Sequence, residues 1–350
     1  MRAAVLWEYG EPLDITDVEC PSVANHGVIV DVETCGICRS DWRGWQGDYE
    51  RMDLIGQVMG HEPAGTVIEA GDEVEYLRKG DEVVVPFRIA DGTCPRCRNG
   101  HTHVCENGPS LGFRASVPGA FGEEIHVPWT DVNVSLLPDG VSTVEMAGLG
   151  CRFMTSFHAL AYRTDISAGD WVAVRGCGGI GLSAVDVATA LGGNIVVIDL
   201  DDEKLDLARG LGAEETVNVR EVEDVPGTVH DITDGGADVS VDALGIAETY
   251  QNSVDSLDYF GQHVQIGLTT KEEGGYVPLP TDEMVRKELE FIGTYGMQPT
   301  RYDEIFRMVE RDRIHPAELV SRQVSLDDLN DRLTAMTDFE TQGIEVITGY

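Results

Sequence analysis

Basic side chains are scarce in this 350-residue sequence: Lys and Arg together number 25, whereas Asp and Glu number 62, which gives a formal net charge of −37. Nucleic-acid binding needs a cationic surface to neutralise phosphates, so this balance argues against it. The acids are scattered along the chain and do not form a single tail. Because salt at about 1 M shortens the screening length to about 3 Å, such a surface predicts a halophilic protein.

Long apolar runs are also missing. No stretch of about 18 apolar residues suggests a membrane span, and the opening MRAAVLWEYGEPLDI lacks the apolar region of a secretory signal. We therefore expect a cytoplasmic protein with no membrane partner. In that compartment the eight cysteines favour metal ligation or buried thiols over disulfides.

The periodicity of the sequence changes near residue 150. Before that point, short alternating or β-branched runs bounded by turn residues predict a barrel-like β domain; they are GVIVDVETC, EPAGTVIEAG, KGDEVVVPF, EEIHVP and VNVSLLPDG. After it, strand and helix patterns alternate, which predicts a doubly wound parallel sheet. The fold class is therefore α/β with two domains. We place the first at residues 1–152, completed by 295–350, and the second at 153–294.

The segment VRGCGGIG contains glycines in G-x-G-x-x-G spacing, directly after a predicted strand and before a predicted helix. In that context the glycines let the backbone approach a pyrophosphate at the helix N-terminus. Asp199 ends the next strand, where a carboxylate binds the ribose hydroxyls and repels a 2′-phosphate, so we expect NAD, with NADP as the alternative. The predicted dinucleotide contacts of this region are Gly176, Gly178, Gly179, Ile180, Gly181, Asp199 and Lys204.

Two cysteines, Cys35 and Cys38, stand three residues apart in TCGICRSD. That spacing alone suits a disulfide loop, a redox pair or half of a metal site. His61 follows in MGHEPAGTV and Cys151 in GLGCRFM. Two thiolates and an imidazole suit zinc, and three protein ligands leave one coordination position open for water or substrate. We therefore interpret Cys38, His61 and Cys151 as ligands of a catalytic zinc ion.

CGICRSD, GHEPAG, a cysteine just before the nucleotide region, and GCGGIG occur in one order along essentially the whole chain. In this the sequence resembles the zinc-dependent medium-chain alcohol dehydrogenase family. The resemblance implies a GroES-like catalytic domain joined to a Rossmann domain, and NAD-linked interconversion of alcohols with aldehydes or ketones. It also implies a homo-oligomer, either tetramer or dimer. The alternative is a polyol, sugar or threonine dehydrogenase of the same superfamily.

The resemblance further implies roles for single residues. Glu62 matches an acid that joins or leaves the coordination sphere of the zinc ion. Ser40 matches the hydroxyl that takes the alcohol proton, and Asp41 matches the carboxylate that orients His61. Arg39 is expected at the cofactor pyrophosphate and Thr155 beside the nicotinamide. The implied carboxamide contacts are Ile266, Gly267 and Leu268, and the implied substrate-pocket aromatics are Phe87, Trp45 and Tyr49, the last two with a plain core role as the alternative.

Two positions depart from the family pattern. Arg43 stands where many relatives have a histidine that passes the proton to solvent, and a guanidinium stays protonated, so it cannot act as a base. Glu345 stands where a phosphate-pairing arginine is frequent. We therefore expect the proton to leave by the cofactor ribose and water, or by another histidine.

A second metal site is predicted in DGTCPRCRNGHTHVC. The structural zinc lobe of the family uses four cysteines spaced x2, x2 and x7, and here an aspartate takes the first place. A carboxylate is an acceptable zinc ligand, so the lobe is expected to bind metal. The predicted structural ligands are Asp91, Cys94, Cys97 and Cys105, with His101 and His103 as alternatives.

Overall fold

The computed structural model describes every residue except position 50, and the chain separates into two compact units. Unit 1 comprises residues 1–154, 296–311 and 316–350. Unit 2 comprises residues 155–295 and the short segment 312–315. Among the described residues, no helix combines the length and the apolar character that crossing a membrane requires.

Sixteen strands and twelve α-helices make up the regular structure of the described residues. The strands are β1 (Arg2–Leu6), β2 (Asp14–Asp17), β3 (Val28–Ile37), β4 (Gln57–Val58), β5 (Pro63–Ala70), β6 (Glu82–Val84), β7 (Glu124–Val127), β8 (Ser135–Leu136), β9 (Trp171–Arg175), β10 (Asn194–Asp199), β11 (Glu215–Asn218), β12 (Ala237–Asp242), β13 (Leu257–Gln265), β14 (Glu290–Gly293), β15 (Val320–Ser325) and β16 (Ile344–Gly349). The helices are α1 (Arg39–Trp45), α2 (Pro95–Arg98), α3 (Thr130–Asn133), α4 (Thr143–Met146), α5 (Arg152–Arg163), α6 (Gly179–Leu191), α7 (Asp202–Gly210), α8 (Val225–Thr233), α9 (Ala247–Asp255), α10 (Thr281–Lys287), α11 (Tyr302–Val309) and α12 (Leu329–Thr337).

Unit 1 contains two sheets. A three-stranded sheet has the order β2-β1-β4, and a seven-stranded sheet has the order β15-β16-β3-β5-β6-β8, with β7 also paired to β3. The long strand β3 is central because its β-branched sequence, VIVDVETCGI, is buried along most of its length. It pairs antiparallel with β5 and with β16. Candidate metal ligands flank these strands: Cys38 directly follows β3, and His61 and Glu62 directly precede β5.

One predicted strand of unit 1 is partly helical. Within VNVSLLPDG, residues up to Asn133 belong to α3, and only β8 is extended. The reason is local hydrogen bonding by side chains, which competes with a strand ladder. Thr130 donates its hydroxyl to the carbonyl of Val127, and the Asn133 amide both accepts from Ala90 N and donates to Ala90 O.

Unit 2 confirms the predicted parallel sheet. Its strand order is β11-β10-β9-β12-β13-β14, and every neighbouring pair is parallel. This is the order of two joined mononucleotide-binding halves, which meet between β9 and β12. The carboxyl ends of parallel strands lie at one edge, so the loops after β9, β10, β12 and β13 face one ligand-binding edge.

Candidate metal and dinucleotide sites

The turn from β3 into α1 places Cys38 at the N-terminus of the helix. Cys38 has extended backbone angles, φ −110° and ψ 155°, and its N–H donates to Asp41 Oδ2 over 2.9 Å. His61 directly follows Gly60, whose φ is +94°. A Cβ at Gly60 would lie 2.6 Å from Phe121 N, so only glycine fits beside the metal-ligand candidate.

Four candidate ligands converge in unit 1. One ligand atom each from Cys38, His61, Glu62 and Cys151 lies within 4.8 Å of the other three. His61 Nδ1 is held 2.8 Å from Asp41 Oδ1, and its buried Nε2 has no hydrogen-bond partner among the described residues. A hydrogen bond with Cys151 lowers the pKa of Cys38 well below its ordinary value. An imidazole fixed at one nitrogen and open at the other, beside two thiols, fits a zinc ion.

A buried ion pair lies behind this cluster. Glu62 is 0% exposed and receives the Arg152 Nε at 3.1 and 3.0 Å, the Arg152 Nη2, and the Arg152 backbone N–H at 3.0 Å. Burial raises the pKa of Glu62 to about 7, although Arg152 lowers it. The sequence interpretation missed Arg152; its position directly after Cys151 was the available signal. The pair fixes the Glu62 carboxylate next to the other ligands.

Aromatic rings surround His61 and Ser40. The Tyr49 phenol hydrogen-bonds to the Ser40 side chain, and burial raises the pKa of Tyr49 well above its ordinary value. The Phe113 ring lies 5.1 Å from His61 and meets Tyr49 edge-on at 5.6 Å, and the Phe87 ring lies 6.2 Å from His61. The Phe87 ring thus lies beside His61, and the Tyr49 ring contacts Phe113; their role in a substrate pocket stays a prediction. No sequence motif pointed to Phe113.

Trp45 is placed differently. Its indole packs in the hydrophobic core of unit 1, and its Nε1–H donates to the carbonyl of Glu11 over 2.6 Å. These contacts are those of a core residue, which was the alternative to a pocket role for this side chain. Cys35, on β3, is also fully buried, and its thiol faces the carbonyl of Gly36.

The second predicted cluster also converges within unit 1. Ligand atoms of Asp91, Cys94, Cys97 and Cys105 lie within 4.8 Å of one another. The Cys94 and Cys97 sulfurs are 3.4 Å apart, and Asp91 Oδ1 lies 3.3 Å from Cys105 Sγ and 4.0 Å from Cys97 Sγ. Zinc–sulfur bonds of about 2.3 Å in a tetrahedron separate ligands by roughly 3.8 Å, so the group fits zinc. His101 and His103 are outside this set.

The aspartate of this cluster is held by its neighbours. Asp91 accepts hydrogen bonds from Thr93 N at 2.9 Å, from Thr93 Oγ1 at 2.7 Å and from Asn107 Nδ2 at 2.8 Å. These bonds keep the pKa of Asp91 well below its usual range. A carboxylate that is ionised and fixed in direction is suited to metal binding, which supports Asp91 in the place of a cysteine.

Two residues considered above for contact with the cofactor phosphates, Arg39 and Glu345, both lie in unit 1. The Arg39 guanidinium lies between two rings, 3.7 Å from Trp42 and 4.8 Å from Phe339, and donates to the carbonyl of Met336. Burial lowers the pKa of Arg39 to about 10. Glu345 is buried and receives Arg332 Nε at 2.7 Å and Arg332 Nη2 at 2.8 Å. Glu345 thus belongs to an internal ion pair of unit 1.

In unit 2 the glycine-rich turn joins β9 to α6. Gly176 has φ +90°, and a Cβ at Gly181 would collide with the Gly176 carbonyl oxygen. At Gly178, the residue that caps α6, no described atom lies within 4 Å of where a Cβ would be. The N-terminus of this 13-residue helix is therefore bare, and its N–H groups suit a pyrophosphate.

The other predicted dinucleotide residues also lie in unit 2. Asp199 ends β10 and accepts from Cys177 N at 2.6 Å and from Leu200 N at 2.7 Å, which ties it to the glycine-rich turn. Lys204 lies on α7, and the buried Thr155 lies on α5. Ile266, Gly267 and Leu268 directly follow β13 at the same edge of the sheet.

Comparison with known proteins finds relatives along essentially the whole chain. Residues 24–139 match the model of the alcohol dehydrogenase GroES-like domain, and residues 179–311 match that of the zinc-binding dehydrogenases. The NAD-dependent alcohol dehydrogenase of Sulfolobus acidocaldarius is 30% identical over 357 residues, covering 99% of each chain. The D-arabinose 1-dehydrogenase (NADP⁺) of Saccharolobus solfataricus is 30% identical over 354 residues, covering 99% of this chain and 97% of the relative. The solved alcohol dehydrogenase from Thermus sp. ATN1 is 29% identical, with a TM-score of 0.90 and full coverage of both chains.

Proposed function

The chain belongs to the zinc-dependent medium-chain alcohol dehydrogenase family, and from this premise we propose that it interconverts alcohols with aldehydes or ketones using NAD. The observation that carries the proposal is the state of His61. Its Nδ1 is locked by Asp41, and its buried Nε2 is open beside the thiols of Cys38 and Cys151. When bound, zinc acts as a Lewis acid on the alcohol oxygen and NAD accepts the hydride.

The residues of unit 1 hold the metal ligands, move the substrate proton and line the surroundings of His61. Asp41 fixes the imidazole of His61 and, by accepting from Cys38 N, also fixes the turn that carries the first thiol. Ser40 Oγ accepts the proton of the substrate hydroxyl and passes its own proton on, by the cofactor ribose and water or by another histidine. The phenol of Tyr49 holds the Ser40 side chain in place by a hydrogen bond. Phe87 gives the surroundings of His61 an apolar wall and, with it, a preference for apolar substituents.

The residues of unit 2 hold the dinucleotide. The bare N-terminus of α6 at Gly178 binds the pyrophosphate, and Asp199 binds the adenosine ribose. The carboxylate of Asp199 supports NAD over NADP, because a 2′-phosphate would meet a negative charge there. A comparison of kcat/KM for the two cofactors tests this preference.

The competing proposal is a sugar or polyol dehydrogenase of the same superfamily, and the likeness to a D-arabinose dehydrogenase favours it. NADH formation with primary alcohols, secondary alcohols, polyols and sugars, in molar KCl with zinc, separates the two. Turnover of simple alcohols supports an alcohol dehydrogenase, whereas turnover of sugars or polyols alone supports the alternative. No turnover of any of them, in a protein that binds zinc and NAD, would overturn both.

A pair of cysteine variants tests the metal assignment. Cys38→Ser should abolish turnover while leaving NAD binding mostly intact, because Cys38 lies in unit 1 and every predicted dinucleotide contact except Arg39 lies in unit 2. Cys35→Ser is the matched control, since Cys35 lies three residues before Cys38, on β3, but outside the metal cluster. Equal loss of activity in both variants would contradict the assignment of Cys38 as a ligand.

Three further properties are proposed for the enzyme. The net charge of −37 supports a halophilic enzyme, whose melting temperature should rise between dilute buffer and molar KCl. The family resemblance supports a homo-oligomer, tetramer or dimer, and a cytoplasmic location. Sedimentation in molar KCl would determine the oligomeric state.

A further inference from the structure

A buried carboxylate of unit 2 has no part in the chemistry above. Asp242 is the last residue of β12 and is 0% exposed. Its Oδ1 accepts from Leu244 N at 2.8 Å and from Gly245 N at 3.2 Å. Its Oδ2 accepts from Gln265 Nε2 at 3.0 Å. A carboxylate is kept in a protein interior only when hydrogen bonds or charges compensate it, and here two of the donors are backbone N–H groups of the following loop.

Gln265 is the counterpart of Asp242 on the neighbouring strand. It ends β13 and is paired in register with Asp242. Its amide nitrogen donates two hydrogen bonds, one to the Asp242 carboxylate and the other to the carbonyl of Gly267 at 2.8 Å. Its Oε1 faces His263 Nε2 at 3.2 Å, and His263 Nδ1 faces Ser240 Oγ at 2.9 Å. This chain of bonds fixes which way the Gln265 amide points.

The same two residues also hold the backbone of the second loop. The Asp242 carbonyl accepts from Ile266 N at 3.1 Å and from Gly267 N at 2.9 Å. The loops after β12 and β13 then lie backbone against backbone, since a Cβ at Gly267 would lie 2.6 Å from Gly245 N. Asp242 and Gln265 therefore determine the position of both loops through direct hydrogen bonds.

The place of these loops in the sheet tells which part of a dinucleotide they face. In a sheet of this strand order, one mononucleotide half binds at the loops of the first three strands and the other half at the loops of the last three. The glycine-rich turn and Asp199 belong to β9 and β10, so they serve the adenosine half. The loops held by Asp242 and Gln265 belong to β12 and β13, so they serve the other half.

We propose that Asp242 and Gln265 are positioning residues for the nicotinamide half of the cofactor, which they align by fixing the backbone of Gly245 and Gly267. The inference rests on the proposed function, because it requires NAD as the ligand. It assigns no contact between these two side chains and the cofactor. Their effect passes through the loop backbone, so their loss should weaken one half of the binding site and spare the other.

Equilibrium binding of NAD⁺ and of ADP-ribose, measured by calorimetry on the full chain, tests this. Gln265→Met removes the two N–H donors and should weaken NAD⁺ binding about 3- to 10-fold, the usual effect of losing one or two neutral hydrogen bonds. ADP-ribose lacks the nicotinamide, so its Kd should change less than about twofold. Gln262→Met is the matched control, because Gln262 lies on the same strand and its side chain, among the described residues, bonds to Asp165 and Glu290 and not to either loop.

Asp242→Asn provides a second variant should Gln265→Met fold poorly. The asparagine oxygen can still serve the N–H groups of Leu244 and Gly245, but its amide then presents a donor to the Gln265 donor. We expect the same selective loss of NAD⁺ affinity. Equal weakening of NAD⁺ and ADP-ribose, or no change in either, would overturn the proposal. If the unmodified protein binds neither ligand, the proposed function itself fails.

Discussion

The carboxylate of Asp41 offers the sharpest test of the catalytic metal site. It is fully buried and accepts two hydrogen bonds from the cluster, one from His61 Nδ1 at 2.8 Å and one from Cys38 N at 2.9 Å. In Asp41→Asn the side chain keeps one oxygen and gains an N–H₂ group. One of the two donors must then face another donor, so either the imidazole or the thiol turn loses its support.

The expected loss of zinc affinity follows from the loss of one of these two hydrogen bonds. Removing a residue that orients a metal ligand lowers metal affinity about 10- to 100-fold, which corresponds to about 1.4 to 2.7 kcal/mol. Zinc affinity is measured by competition with a chromophoric chelator, using a Cys97→Ser background so that only the first cluster titrates. Unfolding monitored by circular dichroism establishes that the variant is folded before the titration.

A matched aspartate serves as the control for this variant. Asp81→Asn also removes one negative charge from unit 1, where Asp81 accepts from Arg78 N in a surface turn outside both clusters. Its zinc affinity should equal that of the parent. If Asp41→Asn binds zinc as tightly as the parent, or if Asp81→Asn loses as much affinity, the argument that Asp41 orients the ligands is refuted.

Three other outcomes are expected. Cys97→Ser should reduce the zinc content from two ions per chain to one, measured by elemental analysis, with the first cluster unaffected. Arg152→Met should lower the free energy of unfolding of unit 1 by about 3–5 kcal/mol, because it leaves the Glu62 carboxylate buried and unpaired; an unchanged denaturation midpoint would contradict this. Burial lowers the pKa of His263 in the folded protein. The stabilisation of the folded state by the neutral imidazole is therefore present above the pKa of about 6.5 that histidine has in the unfolded chain, and it is lost as the pH falls below that pKa. The difference in melting temperature between wild type and His263→Gln should therefore shrink between about pH 7.5 and about pH 5.

Much of the fold could be predicted because it depends on local patterns. The alternation of strand and helix after residue 170, and the glycines of the turn between β9 and α6, correctly predict the parallel sheet of unit 2. The spacing of Asp91, Cys94, Cys97 and Cys105 predicted a group that does converge in space. Each of these signals is confined to a few neighbouring residues.

The features that the sequence did not reveal depend on distant contacts. Arg152 matters because Glu62, 90 positions earlier, faces it, and Phe113 matters because the fold places its ring on His61. Trp45 was expected either in a pocket or in the core, and its contacts with the carbonyl of Glu11 and the core of unit 1 are those of the second role. Residue type alone does not say which face of a short helix such as α1 is buried.

The pairing of β3 with β16 has a consequence for how the protein is made. Cys35 on β3 pairs with Ile347 on β16, so the two strands are synthesised roughly 300 residues apart. At about 5–20 residues per second, the ribosome needs roughly 15–60 s to join them. During that time the end of β3 next to Cys38, residues 35–37, has no partner on the edge that β16 later covers, whereas β7 pairs with the strand at Val28–Asp31. The nearly continuous unit 2 can fold independently of this pairing. The chain is thus most exposed to aggregation during synthesis, before β16 emerges and pairs with β3 in unit 1.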